Sequence, residues 1–308
     1  MKTSVVIPAY KVKKHLKEVI TTIPDFVTHI IVVDDKCPQH SGEYALSLNI
    51  ERVTVIFHEV NQGVGGSVFS GYQKALELAS DVVVKVDGDG QMDPNFMKSL
   101  IQPIIDGHAD YTKGNRFKDF KALKSMPKIR LFGNSVLSFL VKMASGYWNV
   151  MDPTNGYTAI HKRALEGLNF DHISKRYFFE SDMLIHLNIE NMVVQDISIP
   201  TRYGDEESSL NIKKVLYQFP VKILQGLLKR IFYKYYIYDF NMASIYLFLG
   251  IPMVLFGGSF GIIKWVQAID KGIETSTGTV MLSVLPIILG VQFLLQAISI
   301  DIDNIPKK

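Results

Sequence analysis

The segment KVDGDGQMD, from Lys85 to Asp93, places three carboxylates, a glutamine and two glycines directly after the apolar run DVVVKV. Asp87 and Asp89 share one side of a short extended loop, where two carboxylates repel each other unless a cation lies between them. Mg²⁺ and Mn²⁺ prefer oxygen ligands, and the amide of Gln91, again two residues on, could supply another. An ordinary Asp-Gly turn has the same local sequence. The motif alone therefore leaves a metal site and a structural turn open.

The segments around this motif alternate between strand and helix patterns, as is typical of parallel strands joined by helices. The apolar runs TSVVIPAY, HIIVVDD, RVTVIFHE and DVVVKVD predict strands, and VKKHLKEVITTIP and GGSVFSGYQKALELA predict helices. Asp34, Asp35 and Asn61 then lie with the acidic motif at the carboxyl ends of strands, where ligands bind in sheets of this kind. This clustering favours a metal and nucleotide site.

The glycine-rich segment NQGVGGSVFSGYQKAL, which opens a helix after the third strand, can hold a phosphate or form a tight turn. A dinucleotide-binding fingerprint belongs after the first strand instead, and the Gly-Lys-Ser/Thr pattern of a Walker motif does not occur in the right context. The segment therefore argues against those two nucleotide-binding motifs but does not identify a ligand.

Composition gives broader limits. A formal charge of +3 over 308 residues is too weak to indicate nucleic acid as a partner. The single cysteine, Cys37, cannot form an internal disulfide, which points to a reducing compartment. The apolar run in MKTSVVIPAYK is shorter than the core of a signal peptide, so we expect no targeting segment before the fold.

Two long uncharged stretches, Ala243 to Ile263 and Thr275 to Ile300, are each long enough to cross a membrane. Buried helices of a soluble core are the alternative, but such helices should show a polar face and these show almost none. We therefore predict two spans, at about 243–266 and 278–300.

Basic residues flank the spans, whereas the turn between them, KWVQAIDKGIE, is balanced in charge. They are Lys229, Arg230 and Lys234 before the first span and Lys307 and Lys308 after the second. The chain is thus expected to be an integral membrane protein with both termini and its soluble domain in the cytoplasm.

The segment 213–242 precedes the first span and has apolar residues at helical spacing with lysines interleaved. It predicts one or two interfacial helices, broken near Pro220, that lie on an anionic membrane surface. An ordinary packing helix is the alternative. The expected domains are therefore 1–212, 213–242 and 243–308.

Taken together, these motifs resemble the inverting glycosyltransferases of family 2, whose GT-A fold is a Rossmann-like mixed α/β sheet that binds nucleotide-diphosphosugars. The resemblance covers roughly residues 3 to 205 and is carried by SVVIPAYK, VVDD, NQGVGGSVFSGYQKAL and VDGDGQMDP. Within the family, DPTNGYTAIHKRAL, RYFFESDMLI and IPTRYGDEESSL are most similar to polyprenyl-phosphate sugar synthases of the dolichol-phosphate-mannose synthase type. This implies an enzyme that moves one sugar to a polyprenyl phosphate.

The resemblance implies roles for residues around the donor. Asp35, with Asp34 beside it, would bind the nucleotide base, and Asn61 would lie in the same nucleotide-sugar site. The main chain of Pro8, Ala9 and Tyr10 would line that pocket. Asp87 would contact the ribose and a divalent cation, Mg²⁺ or Mn²⁺, and the absent side chain of Gly88 would leave room for phosphate. Asp89 and Gln91 would complete the coordination of the diphosphate.

The resemblance also implies roles on the acceptor side. Arg116, Arg130 and Arg202 would bind phosphate, either on the acceptor or on the departing diphosphate. Asp152 lies where a base or an acceptor-orienting carboxylate is expected, and Asp182 competes with it for that role.

Departures from the family pattern leave other questions open. KCPQHSGE follows VVDD in place of the usual run, so the donor is a UDP-sugar by default and a GDP-sugar remains open. The pattern Q-x-x-R-W of processive synthases is missing, which favours a single transfer. A glycan or saccharide hydroxyl as acceptor, or a non-catalytic membrane scaffold, are the alternatives. Gly250, Gly257 and Gly261 would permit close helix packing, which leaves a homo-oligomer open.

Overall fold

A computed structural model describes residues 1–116, 128–200 and 212–308 of the chain, without the side chains of residues 128–132, 134 and 212–217. These residues form two compact units. The first is Met1–Arg230 together with Pro306–Lys308, and the second is Ile231–Ile305. The first unit carries the acidic motif, and the second carries the two long apolar stretches.

The first unit is built on one mixed sheet. Its strands are β1 (Thr3–Ala9), β2 (Val27–Asp34), β3 (Val53–Phe57), β4 (Val82–Lys85), β5 (Tyr111–Asn115), β6 (Thr158–His161) and β7 (Val194–Ser198). Their spatial order is β3-β2-β1-β4-β6-β5-β7. β1 runs parallel to β2 and β4, whereas β6 is antiparallel to β4 and β5. The predicted mixed α/β fold is confirmed.

Helices cover the sheet. They are α1 (Lys13–Thr22), α2 (Ser41–Ser47), α3 (Val64–Glu77), α4 (Met97–Ile105), α5 (Lys128–Ser145), α6 (Lys162–Gly167), α7 (Phe179–Ile189) and α8 (Ile212–Phe232). Val5, Val6 and Ile7 of β1 are fully buried, as expected of a central strand whose two faces are both covered. A Cβ on Gly71 of α3 would lie 2.3 Å from Val6 Cγ1, so this glycine lets α3 approach β1 closely.

The helix α8 is continuous across Pro220, so the expected break there is wrong. Proline removes one backbone hydrogen bond, and the turns around it can still hold the helix together. Near its carboxyl end, Arg230 is fully buried and donates from Nε to Ala144 O (2.8 Å) and from Nη2 to Met143 O (3.0 Å). Arg230 thereby satisfies carbonyls at the end of α5 that have no partner within that helix.

The second unit is a helical hairpin of α9 (Met242–Lys271) and α10 (Thr277–Asp303), each of which contains a long apolar stretch. Both are long and apolar enough to cross a membrane. The small residues of α9 pack against α10: a Cβ on Gly257 would lie 2.6 Å from Ser283 O, and one on Gly250 3.0 Å from Gly290 O. Close packing within the hairpin therefore accounts for Gly250 and Gly257 without an oligomer.

A π-helix, Tyr233–Tyr238, lies between α8 and the hairpin. Tyr235 is buried and donates to Asp301 Oδ1 of α10 at 2.6 Å. Several aromatic neighbours are exposed, among them Phe232, Tyr238 and Phe240. The ring of Tyr238, with its polar hydroxyl, is of the kind that is typical of the boundary between hydrocarbon and water.

The buried His186 of α7 gives the first unit a testable pH dependence. Burial lowers its pKa and outweighs the Asp182 carboxylate, which acts in the opposite direction. The Lys229 ammonium, whose Nζ lies 3.2 Å from His186 Nε2, lowers the pKa further. The unfolded chain then takes up a proton near pH 6.5 that the folded chain does not. The stabilisation is present above that pH and lost as the pH falls.

We therefore expect the free energy of unfolding to fall by up to about 1.4 kcal/mol per pH unit below pH 6.5 through this group. His186→Asn should make the melting temperature of the purified full chain depend less on pH between 5 and 6.5. The matched variant at an exposed position, His108→Asn, should leave that dependence unchanged. Equal pH dependence in wild type and His186→Asn would contradict the assignment.

Candidate active site

The acidic motif follows β4 directly, beside the end of β1, and β2 lies on the other side of β1 in the sheet. Asp89 Oδ1 accepts a hydrogen bond from Gln91 N at 3.0 Å, and Gly90 between them has a φ of +78°, which glycine adopts without strain. A Cβ on Gly88 would lie 2.8 Å from Val12 Cγ2. The absent side chain of Gly88 thus lets the acidic loop pack against the segment that follows β1.

Beneath the motif lies a buried lysine that sequence reasoning missed. The side chain of Lys85 is 1% exposed, and its Nζ lies 2.7 Å from Asp87 Oδ1, 3.2 Å from Gly156 O and 3.4 Å from Glu180 Oε1. Burial by itself lowers the pKa of Lys85, but the two carboxylates outweigh burial and raise it. The ammonium is therefore a permanent positive charge next to Asp87. Its place in the apolar run VVVKV was the only signal in the sequence.

A second buried lysine lies on the same face of the sheet. Lys85 of β4 and Lys113 of β5 both pair in register with Thr158 of β6, so the three side chains lie in one row. The Nζ of Lys113 donates to the carbonyl of Asn155, next to the Gly156 carbonyl that Lys85 contacts. Burial lowers the pKa of Lys113 to about 8. The two ammoniums therefore hold consecutive carbonyls of the 152–157 loop.

The same loop carries Asp152, which is fully buried and paired with Arg116. Arg116 Nε lies 2.7 Å from Asp152 Oδ2, and Nη2 lies 3.0 Å from Oδ1, which is a bidentate pair. The arginine side chain itself is 43% exposed. In this arrangement the carboxylate orients a partly exposed guanidinium, and whether Asp152 acts as a base stays a prediction.

The two acidic residues after β2 also make internal contacts. Asp34 Oδ1 accepts from Cys37 N at 2.7 Å, and Oδ2 accepts from Gly42 N at 2.6 Å. The carboxylate thus fixes the loop that leads into α2. Asp34 is 4% exposed, and its predicted contact with a nucleotide base stays a prediction.

Asp35 organises the glycine-rich start of α3. Its carboxylate accepts from Gln62 N and Gly63 N, both at 2.8 Å, and Oδ1 lies 2.8 Å from His58 Nδ1. Asn61 Nδ2 donates to the main-chain oxygen of Asp35 at 3.1 Å. The predicted residues Asp35 and Asn61 are therefore brought together, and their role towards a nucleotide stays a prediction.

The carboxylates of α7 have different surroundings. Asp182 Oδ2 accepts from Ser174 N at 2.7 Å, which fixes the loop before the helix. Glu180, two residues earlier, is the one that reaches Lys85, the partner of Asp87. The family resemblance selected Asp182. Both carboxylates stand in the stretch RYFFESDMLI, and their spacing alone does not show which of them meets β4.

The remaining predicted residues are the segment at the end of β1 and two arginines. Ala9 ends β1 fully buried and its carbonyl accepts from Asp35 N, whereas the neighbouring Tyr10 is 45% exposed. Pro8 O would lie 3.4 Å from a Cβ on Gly88, so these main-chain segments line one edge of the site. Arg130 lies in α5 with its side chain outside the described part, and Arg202 lies outside the described residues altogether.

The donor atoms suit a hard divalent cation. Among the described residues there is no cluster of three or more His, Cys, Asp or Glu side chains that could hold a metal. The motif supplies two carboxylates and one amide, from Asp87, Asp89 and Gln91. An all-oxygen set of this kind fits Mg²⁺ or Mn²⁺, which keep waters and substrate phosphates as further ligands.

The mixed sheet and the acidic motif after β4 have the arrangement that the sequence predicted for a glycosyltransferase. The sequence model described as Glycosyl transferase family 2 matches residues 4–168, and the chain belongs to this family, as its motifs predicted. The chain is 34% identical over 215 residues to the UDP-N-acetylglucosamine–dolichyl-phosphate N-acetylglucosaminyltransferase of Methanococcus voltae, a match that covers 65% of this chain and 85% of the relative.

Two further comparisons agree. The polyprenol monophosphomannose synthase of Mycolicibacterium smegmatis is 25% identical over 241 residues, which is 74% of this chain and 89% of that protein. Glucosyl-3-phosphoglycerate synthase of Mycobacterium tuberculosis, crystallised with Mn²⁺ and UDP, superposes with a TM-score of 0.56 at 18% identity, covering 74% and 79% of the two chains. The structural likeness confirms the fold.

The Arg116–Asp152 pair yields a stability prediction. Arg116→Met leaves a fully buried carboxylate without its guanidinium, which should lower the free energy of unfolding by about 1–3 kcal/mol, less than for a pair in which both partners are buried. Asp152→Asn added to this variant should recover part of the loss, because the buried charge is then absent. Denaturant unfolding of the single and double variants measures the coupling.

Arg163→Met is the matched control, since Arg163 Nη2 lies 2.7 Å from Asp110 Oδ1, another nearly buried carboxylate. Asp110 keeps Lys308 Nζ at 3.0 Å and the Val193 N–H at 2.9 Å, so its loss should be smaller. Additive effects of Arg116→Met and Asp152→Asn would show that the pair does not stabilise the fold.

Proposed function

We propose that this family 2 glycosyltransferase moves one sugar, with inversion, from a nucleotide-diphosphosugar to a polyprenyl phosphate at the cytoplasmic face of a membrane. The observation that carries the proposal is the joint presence of the D-x-D-x-Q site in the first unit and an apolar hairpin in the second. The relatives named for transfer to dolichyl phosphate or for polyprenol monophosphomannose synthesis support a lipid phosphate as acceptor. UDP-sugars are the first donors to test and GDP-sugars the second.

In the proposed reaction, an oxygen of the lipid phosphate attacks the anomeric carbon from the face opposite the leaving group. The bond from that carbon to the diphosphate breaks, and the nucleoside diphosphate leaves with the electron pair. Asp87, Asp89 and Gln91 would hold a divalent cation, which would neutralise the leaving diphosphate. Arg116, Arg130 and Arg202 would bind phosphate, so that two anions can approach each other.

A phosphate acceptor needs little help from a base, because it is already anionic at neutral pH. Both carboxylates considered as bases make internal contacts, Asp152 with Arg116 and Asp182 with Ser174 N. This favours the phosphate over the runner-up acceptor, a glycan or saccharide hydroxyl, which would need a general base. A non-catalytic scaffold would have no use for the acidic motif.

Asp89→Ala should lower transfer by about 100-fold or more, since one preorganised charge contact at the leaving group is lost. The measurement is formation of mild-acid-labile monosaccharide lipid from radiolabelled UDP- or GDP-sugars and polyprenyl phosphate. Asp93→Ala is the matched control, because the Asp93 side chain accepts from Asn95 N and caps a short helix. It should cost about 1 kcal/mol of stability and leave transfer within threefold.

Near-normal transfer by Asp89→Ala would contradict the assigned metal site. Elongated glycan in place of monosaccharide lipid would favour the hydroxyl acceptor. No labelled product from wild type with either donor would contradict the proposed function.

For the membrane arrangement, we propose that α9 and α10 both cross the bilayer, that residues 213–242 lie at its surface, and that both termini are cytoplasmic. The balanced turn and the basic flanks support this orientation.

In a Cys37→Ser background, Thr275→Cys in the turn should react with a membrane-impermeant maleimide added to intact cells. Lys307→Cys should react only after the membrane is opened. Labelling of both positions from one side would contradict two spans.

A further inference from the structure

Lys85 joins three segments that are far apart in the sequence. Its ammonium contacts Asp87 in the acidic motif, the Gly156 carbonyl in the loop that carries Asp152, and Glu180 on α7. The contacts span up to 95 residues of chain. The first and second segments are the donor and acceptor sides of the proposed reaction, so one side chain connects both.

Stability alone gives a poor account of this lysine. Moving an ammonium out of water is costly, and a buried ion pair is often no more stabilising than apolar side chains of the same volume. The neighbouring valines of β4, Val82, Val83 and Val84, are fully buried and show that the strand accepts apolar residues. A charge held at this position therefore suggests a role in the site.

The space around Lys85 is also closely fitted. A Cβ on Gly156 would lie 2.6 Å from Lys85 Nζ and 2.6 Å from Asp87 Oδ2. Only a residue without a side chain leaves both groups where they are. Gly156 therefore permits the ammonium, the acidic motif and the 152–157 loop to meet.

We propose that Lys85 is a positioning residue: its ammonium acts as an internal cation that orients Asp87 and ties it to the 152–157 loop and to Glu180. This deepens the proposed function, on which it rests. Lys85 acts through Asp87 and the loop, and it has no assigned contact with donor or acceptor. Lys113 is the second anchor of the same loop, through its hydrogen bond to the Asn155 carbonyl.

This role has an unusual consequence for metal binding. Because Lys85 Nζ lies 2.7 Å from Asp87 Oδ1, it competes with a metal ion for that carboxylate and adds positive charge to the site. Removing the ammonium should let a cation bind more tightly while the carboxylate and the loop lose their orientation. Metal affinity and turnover should then change in opposite directions.

The test uses Lys85→Met in the purified full chain. Titration with Mn²⁺ alone, followed by electron paramagnetic resonance, should give a Kd at least threefold lower than for wild type. Turnover at saturating Mn²⁺ and donor should fall at least tenfold. A residue needed only for folding would instead lower Mn²⁺ binding, turnover and melting temperature together. That result, or turnover within threefold of wild type, would overturn the proposal.

Lys113→Met is the matched lysine control, because it removes an equally buried ammonium that has no contact with Asp87. Its effect on the Mn²⁺ Kd should be smaller than that of Lys85→Met, and an equal effect would show that buried charge in general, and not Lys85, sets the affinity. This comparison isolates the contact with Asp87.

Gly156→Ala is a second variant that disturbs the contact between Lys85 and Asp87, and it tests the proposal even if Lys85→Met does not fold. It retains both charges but forces Asp87 Oδ2 and Lys85 Nζ apart, so turnover should fall at least tenfold and Mn²⁺ should bind more tightly. Gly258→Ala, where an added Cβ meets nothing within 4 Å, is its control and should change neither. Unchanged turnover in Gly156→Ala would overturn the proposal.

The proposal and the proposed function fail in different ways. If wild type transfers no sugar to polyprenyl phosphate, the proposed acceptor is wrong. The Mn²⁺ affinities, and hydrolysis of the nucleotide sugar as a second measure of turnover, still decide the role of Lys85.

Discussion

The arrangement of the site depends on a charge that lies under it, the buried ammonium of Lys85. Asp87 and Asp89 follow an apolar strand, and two neighbouring carboxylates there would repel each other. Lys85 contacts Asp87 directly, and Asp89 accepts from the Gln91 N–H, so each carboxylate has a partner within the protein. The acidic loop can therefore form before a metal binds. This separates the formation of the site from the binding of its cation.

The same principle applies at the other strand ends. Asp34, Asp35 and Asp152 are nearly or fully buried, and each carboxylate is satisfied by main-chain N–H groups or by an arginine. Buried carboxylates are costly unless they are paired in this way. These residues thus hold the loops at the carboxyl ends of the strands in place, and the side chains of Arg116 and Tyr10 are the more exposed groups beside them.

The strands could be predicted because β1, β2 and β4 are continuous apolar runs, and the hairpin because α9 and α10 lack charge over a membrane's thickness. The D-x-D-x-Q motif was also identified from residue types, whereas Arg116 and Asp152 were selected one by one from the family resemblance, and their pairing was not predicted. Lys85, Lys113 and Glu180 were missed. The contacts of Lys85 with Glu180 and of Lys113 with Asn155 join positions 95 and 42 residues apart, and a lysine in an apolar run does not by itself show that it meets Asp87 two residues on. The predicted break near Pro220 is wrong because it rested on a local rule, that proline interrupts a helix, and the helical turns on both sides of Pro220 hold the helix together.

The contacts of the carboxylates bear on which acceptor suits this site. A neutral hydroxyl requires a base that can take a proton during attack, whereas a phosphate requires positive charge nearby and little else. Asp152 is committed to Arg116 and Asp182 to Ser174 N, while the guanidinium of Arg116 remains partly exposed. A site whose two candidate bases already accept hydrogen bonds suits the proposed anionic acceptor better than an alcohol that must be deprotonated. The proposed polyprenyl phosphate would also explain why such a site is joined to a hairpin that could cross a membrane.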